Sequence, residues 1–345
     1  RSTQVARLFN ELREKCFLTG EFFAILGHST SVPTQLALDL DRAFYKREYL
    51  EPLPPRKIMD VRRKGRFTGS IVCETNSHAA HPVPTACGYI RLVLPYTRGL
   101  EEIRMHTFLL PADMVQFYIT DFMVTQRLAL GHPGQVNTNL NHLQRYSIRL
   151  IYDLDDDLLG IGTSHSEYDH YFKLLPSITR QALEADLITV STEVLAKKMR
   201  LFNPNVELIT NSHDDRIFDE NPGRTPAENK LKILYMGTPT HTQDLLLIKD
   251  PLEKIAKEFK DQVEVVIIGG TNNPELFPNF KMIKPPDSAA GSYPQFVRWI
   301  ESQGPFDIGL SPLVENGFNI GKSGLKYMDY SALGLATICS QVKPY

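Results

Sequence analysis

Cysteine and tryptophan are scarce: four cysteines and one tryptophan stand among 345 residues. Cys16, Cys73, Cys87 and Cys339 are widely scattered, with no C-x-x-C pair and nothing like the density of a disulfide scaffold. That usage argues against a structural zinc site and a disulfide-knit secreted domain, and for a reducing compartment. The cytoplasm is the expected location, with a peripheral place at the inner face of the membrane as the second option. No apolar run reaches the eighteen or so residues that a membrane span needs, and the start "RSTQVARLFNELREKC" is amphipathic rather than signal-like. Charge of one sign is missing as well. Lys and Arg total 38 against 40 Asp and Glu, a formal charge of -2, and no polybasic block stands out. Broad binding to nucleic acid therefore has no electrostatic basis, and small-molecule chemistry is the favoured class. The absent initiator Met and the ending "ICSQVKPY", just after an apolar strand, fit a piece of a longer polypeptide with further domains, cut within its last domain.

What is present is enough apolar material, 42% of residues with 23% charged, for two domains of ordinary size. Residues from about Thr3 to Ile25 read as helix, and "EPLPPRK" at Glu51 to Lys57 is a proline-rich break. Beyond it, "SIVCET", "GYIRLVLP", "MVQFYIT", "FMVTQR", "RLIYDL", "DLITVST" and "VELITNS" are short runs rich in Val, Ile, Thr and Tyr, alternating with helical patterns. Alternation of that kind predicts an α/β fold with a largely parallel sheet. The polar stretch "RIFDENPGRTPAENK" has linker composition and precedes a second series, "KILYMG", "VEVVIIGG", "FDIGLSPL" and "LATICS", with the helical "LLLIKDPLEKIAKEFKD" between the first two. The expected organisation is a helical extension with a linker over residues 1–55, and doubly wound Rossmann-like domains over 56–225 and 226–345, the two facing a cleft.

Ligands of open α/β sheets collect at the carboxyl ends of strands. After "KILYMG", Gly237 ends the strand, and Thr238, Thr240, His241 and Thr242 precede a helix that Asp244 helps to start. Hydroxyl donors beside a helix N-terminus suit an anion, while the same Thr/Asp run could be plain capping. In "SPLVENGFNIGKSGLKYMDYSALGLATICS" a strand runs into a Gly/Asn loop, a helix and another strand. Helical spacing puts Lys322, Lys326 and Asp329 at i, i+4 and i+7 on a polar stripe, and Leu325, Met328 and Ala332 on an apolar stripe suited to the sheet. Gly321 and Ser323 permit close approach of a phosphate, Lys322 and Lys326 supply charge-assisted donors, and Asp329 could accept from a ribose diol. The alternative is a solvated face with a periodic charge pattern. Earlier in the chain, Ser191 and Thr192 read as caps with Glu193 behind them, and Arg91 and Arg127 fall at strand ends or loops, each a weak signal alone. The four aspartates of "YDLDDDLL" (Asp153, Asp155, Asp156 and Asp157) admit a metal site, an acceptor-side acid/base patch or a helix cap.

These residues carry a family likeness. Over roughly Ile71 to the end, the chain resembles GT-B-fold glycosyltransferases of the large retaining, family-4-like group, in a branch seen in bacterial surface polysaccharide assembly. The most specific match is "FDIGLSPLVENGFNIGKSGLKYMDYSALGLATICS", supported by "ILYMGTPTHTQDL", "ADLITVST" with "VELITNSHDD", and "TQRLAL" followed by "RLIYDLDDDLL". The resemblance implies transfer of a sugar from a nucleotide-sugar donor, held by the C-terminal domain, to a hydroxyl of a glycan or lipid-linked glycan acceptor held by the N-terminal one. It implies no cofactor and no metal. Asp329 falls where the group has the second, ribose-binding glutamate of a Glu-x7-Glu pair, and Gly321 stands where the first would be. Glu315 is six residues too early, which leaves Asn319 or Lys322 as substitutes. The group's basic pair for the diphosphate is also missing from "TPTHTQDL", so Lys322, Lys326, the helix N-terminus and Arg127 are left to neutralise it.

Because the donor pattern lies in a separate α/β unit, the Asp-x-Asp spacing of Asp153 and Asp155 is not read as a metal site. Asp155 and Asp156 are instead the candidate catalytic carboxylates, touching the acceptor hydroxyl or the donor sugar. Arg91 and Arg127 are the acceptor-side candidates. The donor-binding set is Gly237, Thr238, Thr240, His241, Asn319, Lys322, Ser323, Lys326 and Asp329. A nucleotide-sugar epimerase of the same fold and a non-catalytic nucleotide-sugar or glycan-binding domain are the alternatives.

Overall fold

The computed structural model describes residues 58–76, 83–97, 104–163, 165–218 and 230–345. The expected N-terminal helix, the proline-rich break and most of the linker lie outside the described residues. Two compact units emerge, neither continuous in sequence. The described residues of the first fall within 58–72, 104–190 and 195–207, and those of the second within 73–97, 191–194 and 208–345.

The first unit is built on six strands: β1 (Phe67–Val72), β2 (Met105–Leu109), β3 (Phe122–Gln126), β4 (Arg149–Leu154), β5 (Leu187–Val190) and β6 (Val206–Leu208). Their order across the sheet is β6-β5-β4-β3-β1-β2, and the pairs from β2 through to β5 are parallel. Met123, Val124, Tyr152, Ile188 and Val190 are fully buried, as expected of central parallel strands covered on both faces. Helices α1 (Pro133–Arg145), α2 (Tyr168–Glu184) and α3 (Glu193–Met199) follow β3, β4 and β5. The chain reverses its direction of winding between β1 and β3, which makes the carboxyl end of β3 a topological switch point.

The second unit carries β7 (Leu231–Gly237), β8 (Val263–Gly269), β9 (Lys281–Ile283), β10 (Ile308–Ser311) and β11 (Ala336–Cys339), all parallel, in the order β9-β8-β7-β10-β11. Helix α4 (Thr242–Glu258) follows β7, α5 (Tyr293–Gln303) precedes β10, and α6 (Leu325–Ala332) joins β10 to β11. Alternation along β7 splits the core in two. Ile233 and Tyr235 pack with Leu245, Leu252, Ile267 and Phe277 on one face, while Leu234 and Met236 pack with Ile268, Ile300, Tyr330 and Leu335 on the other. The switch point lies between β7 and β10. Tyr330 clamps it: its hydroxyl accepts from the Met236 amide at 2.9 Å and donates to the Leu310 carbonyl at 3.0 Å. Gly309 makes room for that ring, since a Cβ there would lie 2.5 Å from it.

Several sequence expectations change. "GYIRLVLP" is not a strand but part of a helical segment, Ala86–Gly88, then a π-helical Tyr89–Val93 and Leu94–Thr97, in the second unit. Thr85 caps it by accepting from the Gly88 amide, and with Ile90, Arg91, Leu92 and Leu94 all buried the run has no clear period to read. "MVQFYIT" opens as a 3-10 helix, Ala112–Phe117, behind the fixed φ of Pro111, and only Tyr118–Ile119 is strand. Strands β2 and β9 were not expected at all. Helix α6 begins at Leu325 with Gly324 as its N-cap, so Lys322 stands before it and only Lys326 and Asp329 share a helical stripe. The side chain of α6 that packs on the sheet is Tyr330, rather than the stripe Leu325, Met328 and Ala332.

Candidate functional site

The carboxyl ends of β7 and β10 gather most of the expected donor residues of the second unit. Beyond Gly237, Thr238 and Thr240 bond to one another through their hydroxyls at 2.9 Å in a short 3-10 turn that leads into α4. At Gly237 the neighbouring strand β8 needs glycine: Gly269 adopts φ +67°, and a Cβ on it would lie 2.2 Å from the Gly237 carbonyl oxygen. His241 Nδ1 lies 2.7 Å from Asp244 Oδ2, and Asp244 Oδ1 accepts from the Val314 amide at 2.8 Å. Burial first, then the positive charge of Lys326, pulls the His241 imidazole down to about 4, against the hydrogen bond to Asp244. A neutral ring beside a carboxylate donates its Nδ1–H, which leaves Nε2 an acceptor. A neutral His241 is then no standing cation at this strand end.

From α6, Lys326 reaches back to Tyr235, with Nζ 3.3 Å from the phenol oxygen and 4.6 Å from the ring centroid. Lys326 makes no salt bridge among the described residues. Burial, reinforced by nearby Lys322, pulls its ammonium down to about 8. Asp329, one turn on, accepts from the Tyr293 hydroxyl through Oδ1 at 2.6 Å. Burial pushes its carboxyl up to about 7, against that hydrogen bond and the charge of Lys326. Two half-buried ionisable groups with perturbed titration thus stand next to one another on α6, which makes this strand end a candidate site.

Beside them the second unit has an open pocket of ≈ 270 Å³ lined by Thr192, Asn211, Lys322, Ser323, Met328 and Lys343 among others. Its wall is tied together by the Asn211 amide donating to Ser323 Oγ at 2.7 Å and by Thr192 Oγ1 donating to the Gly321 carbonyl at 2.9 Å. Thr192 is part of this wall rather than a helix cap alone. Lys322 Nζ sits 4.8 Å over the Phe318 ring. Asn319 is buried, its amide donating to the Val314 carbonyl at 2.8 Å, so it braces the loop after β10. Arg91 belongs to the second unit, apart from Arg127; its buried guanidinium bonds to the Ile209 carbonyl and to Asn211 Oδ1. It therefore holds the backbone leading to Asn211.

In the first unit the four aspartates separate. Asp153 is buried and accepts from Thr189 at 2.6 Å. Asp157 is buried and paired to Lys198 at 2.7 Å. Both are bound into the structure. Asp155 and Asp156 face Arg127, each 3.7 Å from a guanidinium nitrogen. Arg127 follows β3 at the switch point with φ 45°, a conformation that non-glycine residues seldom adopt. Tyr152 and Gln181 both donate to its carbonyl, at 2.9 and 3.3 Å, and its own Nη2 lies 3.1 Å from the Tyr171 hydroxyl. A strained residue held by buried donors at a strand end is a frequent mark of a working site. Among the described residues no three His, Cys, Asp or Glu side chains are grouped as metal ligands.

Three residues were missed from the sequence: Tyr235, Tyr293 and Asn211. Only Tyr293 carried any signal, since Ser-Tyr-Pro marks a helix start; what the phenol touches is invisible without the fold.

No family model and no curated protein matches the chain. Solved structures do. An alpha-glucosyltransferase in complex with UDP and a 13-mer DNA is similar over 79% of this chain and 79% of its own, with a TM-score of 0.50 and 13% identity. HepE of Anabaena, in complex with UDP and glucose, is similar over 81% of this chain and 82% of its own, with a TM-score of 0.51 and 11% identity. The chain has the GT-B fold, with two Rossmann-like α/β units, as the sequence led us to expect.

Proposed function

We propose that the protein is a glycosyltransferase that moves a sugar from a nucleotide-sugar donor to a hydroxyl of a glycan or lipid-linked glycan acceptor. The observation that carries the reading is Lys326: a half-buried lysine without a salt bridge among the described residues, beside Lys322 and Asp329 at the switch point of a doubly wound sheet. A diphosphate supplies the charge that this site lacks, and a ribose diol suits the carboxylate of Asp329. The UDP bound in both similar structures supports the same reading.

The proposed chemistry breaks the bond between the sugar anomeric carbon and the phosphate oxygen and forms one to the acceptor oxygen. Lys322 and Lys326 stabilise the charge on the departing diphosphate, as preorganised electrostatics does. The acceptor proton passes to the departing phosphate oxygen on the same face, which gives retention without a metal and without an obligatory side-chain base. Asp155 and Asp156, oriented by Arg127, are proposed to touch the acceptor hydroxyl or the donor sugar. A role in surface polysaccharide or glycoconjugate synthesis in the cytoplasm completes the proposal.

The second reading, a non-catalytic nucleotide-sugar-binding domain, draws on one observation: Gly321 has no side chain to offer, and its carbonyl is already bonded to Thr192. Titration with a panel of nucleotide sugars, followed by assay for nucleoside diphosphate with and without acceptor glycans, separates the two. Release that depends on acceptor is expected. Binding with neither transfer nor hydrolysis for any donor would leave only the second reading.

A further inference from the structure

The Tyr293–Asp329 hydrogen bond has a specific consequence. Asp329 Oδ1 is occupied by the phenol at 2.6 Å, whereas Oδ2 has no hydrogen-bond partner among the described residues. Tyr293 is the first residue of α5 and is itself fixed: its ring is buried with Ile90 and Val297 and lies 5.9 Å from the Tyr89 ring. Tyr89 in turn donates to Asp214 Oδ2 at 2.5 Å, and Asp214 is gripped by Arg216 at 2.7 and 2.8 Å. The ring is therefore held in place, with its hydroxyl donating to Asp329. A phenol donating to a carboxylate favours the charged form over the protonated one. It also holds the carboxyl plane, so the remaining oxygen faces one way.

We propose that Tyr293 is a positioning residue of the nucleotide site, whose hydroxyl favours the ionised form of Asp329 and turns Oδ2 towards the ribose hydroxyls of a nucleoside diphosphate. This rests on the nucleotide-sugar reading of the second unit. Without the phenol, the carboxyl of Asp329 stays protonated up to a higher pH, and a protonated acid accepts ribose hydroxyls less well. The groups around Asp329 are Tyr293 from α5 and Lys326 on its own helix, with Tyr89 and Asp214 behind Tyr293. The pH at which ribose recognition is lost therefore reports the Tyr293 bond directly.

The test is calorimetric titration of UDP, GDP and ADP, each with its 2′-deoxy counterpart, into the wild-type chain, Tyr293→Phe and Asp329→Asn between pH 6 and 9. Absence of binding by every nucleotide in the wild type would overturn the nucleotide reading itself, a separate result. Given binding, the ratio of ribo to deoxy affinity is expected to be about ten- to a hundredfold, the size of one hydrogen bond to a charged group, and to collapse in Asp329→Asn. In Tyr293→Phe the ratio should be lost at a higher pH than in the wild type, with the deoxy affinity unchanged. Replacing Tyr293 by 3-fluorotyrosine, a more acidic donor of nearly the same shape, should move that midpoint down, and it keeps the test available if Tyr293→Phe does not fold. An unmoved midpoint in these variants, or equal loss of ribo and deoxy binding, would overturn the proposal.

Discussion

Lys326 and Asp329 both titrate away from their ordinary values, in opposite directions. For Asp329 the folded pKa lies above the unfolded value of 3.8, at about 7, so the folded state holds its proton longer and stability falls as pH rises between the two. For Lys326 the folded pKa lies below the unfolded 10.5, at about 8, so stability is lower below pH 8 and recovers as pH rises from there to 10.5. Asp329→Asn should therefore raise the melting temperature at pH 8 while weakening nucleoside diphosphate binding. A lower melting temperature would mark the carboxylate as structural. Lys326→Ala should weaken the same binding by about 1.5 to 3 kcal/mol, the worth of a hydrogen bond to a charged group, as read by titration at pH 7. With Asp329 charged above about 7 and Lys326 charged below about 8, nucleotide affinity should peak in that narrow interval and fall on both sides. His241, neutral above about 4, should add no slope between pH 5 and 7.

Helix α6 works as an element because one residue anchors it. Tyr330 joins β7 to β10 through its hydroxyl and fills the space left by Gly309. Tyr330→Phe leaves the Met236 amide and the Leu310 carbonyl without their bridge and should cost about 1 to 3 kcal/mol in urea unfolding. Gly309→Ala forces the ring aside and should also destabilise. Central strands such as β4, β5, β7 and β8 were legible because buried parallel strands read as unbroken β-branched runs. Strands β2 and β9 escaped because short or half-exposed strands show neither alternation nor a run. The 86–97 segment was misread because a short apolar stretch has the same composition in a buried helix as in a strand. Similarly, periodicity alone placed Lys322 on α6, although Gly324 delays the helix start until Leu325.

In the whole molecule the two Rossmann-like units divide the proposed chemistry, and the division can be measured. Asp155→Asn and Asp156→Asn should lower transfer while leaving nucleotide titration almost unchanged, because both residues lie in the first unit and the lysines in the second. Parallel loss of binding and transfer would place the carboxylates in the nucleotide site instead.

Alternating strand and helix patterns were enough for the α/β class, and the resemblance carried by the Gly/Asn loop and its neighbours pointed to the GT-B fold that the solved structures share. These are properties of local pattern, and local pattern is what a linear chain displays. Which aspartate of "YDLDDDLL" is bound to Thr189, which to Lys198 and which face Arg127 came only from packing, since four adjacent carboxylates differ in nothing but their neighbours. The same holds for the phenol of Tyr293 on Asp329, 36 residues away along the chain. Charge state and hydrogen-bond direction depend on burial and on partners distant in sequence, and folding alone brings those together.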